Sequence, residues 1–126
     1  MTSERMRKIL RFSKSIELVD TEDFDELYRR ENEKTHDWGI RKYTPFSYAV
    51  HLENVLRLRF VNEDRRIRFN YVLLSNEMLK DYYDKNKEIF SKYEEGDYFP
   101  FEEVSDVVRK KIREEEWEAH INEISL

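Results

Sequence analysis

Apolar and charged residues alternate strictly at one place in the chain, Val55 to Leu74, VLRLRFVNEDRRIRFNYVLL. Leu56, Leu58 and Phe60 are separated by Arg57 and Arg59; further on, Ile67, Phe69 and Tyr71 alternate with Arg66, Arg68 and Asn70. A period of two sends the two sets to opposite faces of a strand, so the stretch predicts a β-hairpin with one apolar and one arginine-bearing face. Its turn region, VNEDRR, lacks glycine, which favours a loop of about four residues over a tight two-residue turn.

Elsewhere the pattern is mostly helical. Met6, Ile9 and Leu10 fit a short helix begun by Ser3, with an extended segment from Ile9 to Phe12 as the alternative, and the following SIELV, Ser15 to Val19, reads as a strand. Asp20 or Thr21 supplies an N-cap before EDFDELYRRENEK, where acids crowd the first turn and Arg29 and Arg30 come later, as the helix dipole prefers. That helix should end near Lys34, ahead of a turn at Gly39. Residues 39–45 read as irregular or as a short strand through Ile40 to Tyr43. Pro45 is placed to start a helix continued by Phe46, Ala49, Val50 and Leu52 or Glu53, with a strand through Ser47 to His51 as the alternative. Ser75 caps the next helix, Asn76 to Glu95, which Gly96 should terminate. A last helix runs from Phe101 to about Ile124, and its apolar stripe is thin between Ile112 and Trp117.

These elements predict a single α+β domain over 1–126: a small antiparallel sheet centred on the 55–74 hairpin, packed against two C-terminal helices and one N-terminal helix. At 126 residues the chain is long enough to bury a core without staples. It has no cysteine, which removes disulfides, thiolate metal sites and cysteine nucleophiles and suits a reducing, cytoplasmic setting. No apolar run approaches a membrane span, so no membrane partner is expected. With two glycines in the whole chain, no glycine-rich phosphate loop can be built, and no cofactor or metal is expected.

Charge adds a direction. The net charge of −5 conceals basic segments, Arg5 to Lys14 and the hairpin, and acidic ones, Asp20 to Asp37 and the region after Phe101. Arg57, Arg59, Arg66 and Arg68 on one sheet face, with Tyr71 nearby, are suited to phosphate oxygens or to an acidic protein surface, since the guanidinium fork donates paired hydrogen bonds. The leading expectation is therefore a non-enzymatic binding or regulatory accessory protein contacting nucleic acid or an acidic protein. Two alternatives stand beside it. A small nuclease would use His36, Asp37 or His51 as general base or metal ligand beside the basic face. A structural homo-oligomer would assemble through the aromatic concentration around Tyr98 to Phe101 or through the last helix. The acidic run Glu114 to Glu118 points around one helix and reads as a solvated face, with a charge-complementary protein contact as its functional alternative.

Overall fold

A computed structural model describes residues 3–36, 43–62, 74–92 and 96–126, with only the backbone described for 35 and 36. Among the described residues the protein is helical, and no strand is present; a single antiparallel bridge joins Ser91 to Tyr98. The elements are α1 (Glu4–Ser15), α2 (Phe24–His36), α3 (Pro45–Asn62), α4 (Asn76–Lys85), a 3₁₀ turn (Lys87–Phe90) and α5 (Phe101–Glu123). The expected α+β class is thus overturned.

The hairpin's first strand is instead the last two turns of α3. An alternating run also contains residues four apart, and Leu56 and Phe60 extend the series Tyr48, Leu52, Leu56, Phe60, all of them buried. That series is one stripe of a 3.6-residue helix. Leu58, the residue that a strand would bury with its neighbours, is 53% exposed. The remainder of the expected hairpin, 63–73, lies outside the described residues.

The expected strand at Ser15 to Val19 is a helix terminus. Leu18 N–H donates to the Ser13 carbonyl at 2.8 Å and Glu17 N–H to Lys14 at 3.0 Å, the pair of bonds that closes a Schellman motif, with Glu17 left-handed at φ 63°. Ile16 and Leu18 are both buried because the chain folds back under α1, which imitates a period of two. Local capping accounts for the other boundaries. Ser3 Oγ accepts from Met6 N at 3.1 Å, starting α1 as expected. In α2 the cap falls later than Asp20 or Thr21, on Asp23, whose carboxylate accepts from Glu26 N at 3.3 Å. Thr44 and Ser47 cap each other reciprocally ahead of Pro45. Ser75 starts α4, but that helix stops at Asn86, whose side chain bonds the Tyr82 carbonyl at 2.9 Å in competition with the backbone ladder. Gly96, at φ 83°, belongs to the turn before Tyr98 and does not end α4.

Among the described residues two clusters form the interior, and α5 is common to both. The larger joins α1, α3, Phe24 of α2, and Trp117 and Ile121 from the C-terminal half of α5. Phe12, Phe60 and Trp117 meet there with ring centroids 5.5 to 5.8 Å apart, in the tilted and edge-on arrangements that aromatic quadrupoles favour. The smaller gathers Leu79, Tyr83, Phe90 and Val108 around the N-terminal half. Where the apolar stripe of α5 thins, Arg113 is buried and pairs with Glu116 at 2.5 Å. Arg109 donates to the Val61 carbonyl at 3.2 Å, satisfying an end carbonyl of α3.

Candidate functional site

Of the residues singled out for their charge, the two described arginines do not share a face. Arg57 and Arg59 sit two positions apart on α3, which places them on different sides of a helix. Arg57 donates to Asn54 at 3.0 Å and Arg59 to the Leu18 carbonyl at 3.0 Å, so Arg59 ties α3 to the end of α1. Arg66, Arg68, Tyr71 and Asp37 lie outside the described residues. His36 closes α2, and His51 projects from α3 with its ring stacked on Tyr43 at 4.9 Å. Among the described residues no group of three or more His, Asp or Glu is placed to hold a metal ion. In the acidic run, Glu115 accepts from the Tyr82 hydroxyl at 2.9 Å and Glu116 pairs with Arg113, while Tyr83 donates to the Phe99 carbonyl at 2.5 Å. Among the described residues no helix is long and apolar enough to cross a membrane.

A groove of about 540 Å³, which no sequence pattern announced, lies where the first turns of α1, α2 and α3 come together. Its wall is apolar, made by Met6, Phe24, Phe46, Ala49 and Val50. Two of these are exposed to a degree unusual for their size, Phe46 at 80% and Val50 at 49%. The reason lies in the composition of α3. Tyr48, Leu52, Leu56 and Phe60 already satisfy the larger cluster, half-buried Ala49 packs against its edge, and Phe46 and Val50 continue from it as a second apolar stripe on the same helix. A helix with two apolar stripes covers one of them with its own chain and leaves the other on the surface.

Polar groups border the groove asymmetrically. Arg5, the cation lining it among the described residues, is held on two sides, by Glu53 at 2.6 Å and by Glu118 at 2.7 Å. The bond to Glu118 leads in raising the Arg5 pKa above its already high ordinary value, so the guanidinium stays charged throughout the accessible range. Asp25 lines the same groove, and its carboxylate takes part in no ion pair or hydrogen bond with the described residues. The outer face of α2 carries a denser ion-pair network, in which hydrogen bonds from Arg29 and then Arg30 hold the Glu26 carboxyl below its ordinary value. An arrangement of this kind, an apolar concavity with few polar groups at its border, buries a hydrophobic side chain and orients it by charge. No protein-family model matches the chain, and neither a curated protein nor a solved structure shows significant similarity to it.

Proposed function

We propose that this chain is a non-enzymatic binding protein, an accessory or regulatory subunit of the cytoplasm that takes a side chain of a protein partner into the groove between α1, α2 and α3. The single observation that supports the reading is the exposure of Phe46 beside an apolar wall. A large aromatic on a helix surface loses several tens of Å² of favourable burial by remaining in water, and aromatics of this kind anchor protein interfaces. Compared with the expected arginine face, the binding surface moves from the end of α3 to its beginning. Nile red, a neutral apolar fluorophore, reports on such a surface. The Phe46→Ser, Val50→Ser double variant should keep the helical circular dichroism of the parent and lose most of its Nile red fluorescence. Equal fluorescence from parent and variant would rule the groove out.

A second reading rests on α1. Its outward face carries Arg7, Arg11 and Lys14 at helical spacing, and Arg7 and Lys14 have no acidic partner among the described residues. Three cations on one helix face suit a phosphate backbone. Binding of labelled single- or double-stranded DNA that weakens steeply with salt and is lost in Arg7→Gln, Lys14→Gln would favour nucleic acid over a protein partner.

A further inference from the structure

The groove can also be read for the charge of what it accepts. Three helix N-termini border it, and the partial positive charge there would by itself attract an anion. One donor at each is, however, already engaged: Ser3 Oγ accepts from Met6 N, the Asp23 carboxylate from Glu26 N, and Thr44 Oγ1 from Ser47 N. Arg5 is likewise taken by two carboxylates, each within 2.7 Å. An incoming anion would have to displace Glu53 or Glu118 to reach it. The carboxylate in the lining that has no side-chain partner is that of Asp25, exposed in the first turn of α2.

Resting on the groove reading above, we propose that the occupant is a basic amphipathic segment of another protein, which places an apolar side chain against Phe46 and Val50 and a lysine or arginine on Asp25. The wall supplies burial and Asp25 supplies direction. A charged hydrogen bond formed at the edge of an apolar contact is shielded from water on one side and is stronger than the same pair in the open. The net charge of −5 draws a basic partner toward the protein at long range and opposes a second copy of the same chain.

The test uses two capped synthetic peptides of about 14 residues, long enough for a helix once bound. Both carry leucine at the i, i+3, i+4, i+7 positions; the remaining positions are lysine in one and glutamate in the other. Titration into ¹⁵N-labelled protein is followed by amide shifts. The Leu/Lys peptide should move the amides of Asp25, Phe46, Ala49 and Val50 and bind about tenfold more tightly than the Leu/Glu peptide, the scale of one charged hydrogen bond. Asp25→Asn should remove most of that preference, Asp25→Lys should reverse it, and Phe46→Ser should weaken both peptides. Equal or tighter binding of the Leu/Glu peptide at the same amides would overturn the basic partner and leave the groove standing. Failure of either peptide to move those amides, or Leu/Lys shifts confined to the outer acidic faces, would remove the groove as well. Dimerisation seen by light scattering and abolished by Phe46→Ser would assign the groove to a second copy and overturn the proposal.

Discussion

Among the described residues, twelve buried apolar residues drawn from α1, α2, α3 and the turn after α1 lie around the C-terminal half of α5; around its N-terminal half lie three, Leu79, Tyr83 and Phe90. The larger cluster is closed by ring-on-ring packing about a Trp117 with no exposed surface. The smaller one relies on fasteners: a hydrogen bond from Tyr83 to Phe99, another from Tyr82 to Glu115, and Lys80 lying 5.0 and 5.4 Å from the rings of Tyr83 and Phe101. The same helix is thus held by apolar burial at one end and by individually weak polar contacts at the other. Stability should therefore be unevenly distributed along it, with local opening beginning around α4.

The sharpest test removes Trp117. Trp117→Ala leaves a cavity among Phe12, Phe60 and Ile121 and should cost about 3–5 kcal/mol in urea unfolding; a loss below about 1 kcal/mol would mean that this end is not the dominant one. Leu79→Ala in the smaller cluster should cost less, near the lower end of the range of about 2–5 kcal/mol for such truncations. Hydrogen exchange separates the two regions directly. Amides of α4 should exchange faster than those of α1 and α3 in the parent protein, and equal protection would merge the clusters into one cooperative unit. Two caps of the same chemistry make a matched pair: Ser3→Ala and Ser75→Ala should each cost about 1 kcal/mol, the first visible in global unfolding and the second chiefly as faster exchange in α4.

The mildest test is pH. Burial first, and then the bond to Glu115, pushes the Tyr82 hydroxyl up to about 12. Its folded value lies above the ordinary value of about 10, so its contribution is complete below that pH and is lost as the pH rises toward 12. The parent should lose protection in α4 across that window, and Tyr82→Phe should show a smaller change; identical profiles would show that Tyr82 is no fastener.

Elements whose signals are local were legible in the sequence. Ser3 and Ser75 begin helices as their side chains dictate, Pro45 opens α3, and α5 runs from Phe101 to within a residue of its expected end. The thin stripe between Ile112 and Trp117 marks where α5 passes from one cluster to the other, across Arg113 and Glu116. The sheet failed for a physical reason. Leu56, Leu58 and Phe60 satisfy a period of two over five residues, but the decisive residues, Tyr48 and Leu52, lie upstream, and only in register with them does the four-residue step become visible. The groove was hidden by the same helix. The spacing of Phe46, Ala49, Val50 and Leu52 or Glu53 predicts a helix from Pro45, but it does not say which side is covered, and burial went to the series through Tyr48 and Leu52. Counting apolar residues on both sides of α3 would have exposed the surplus. Capping also misled at Ile16 and Leu18, where a left-handed Glu17 has no distinctive residue type to announce it.

The packing of α1 against the far end of α5 also bears on the order in which the chain is made. Phe12 rests on Trp117 and His120, Arg5 on Glu118, and Arg11 donates to the Ser125 carbonyl at 2.6 Å. More than a hundred residues of synthesis separate these partners. During translation α1 and α3 therefore emerge with only each other to pack against, whereas α4 and the first half of α5 follow each other closely. The larger cluster closes last, when Trp117 and Ile121 arrive. A ribosome that pauses just before them holds a nascent chain showing its greatest apolar surface, which is when a chaperone would have most to bind.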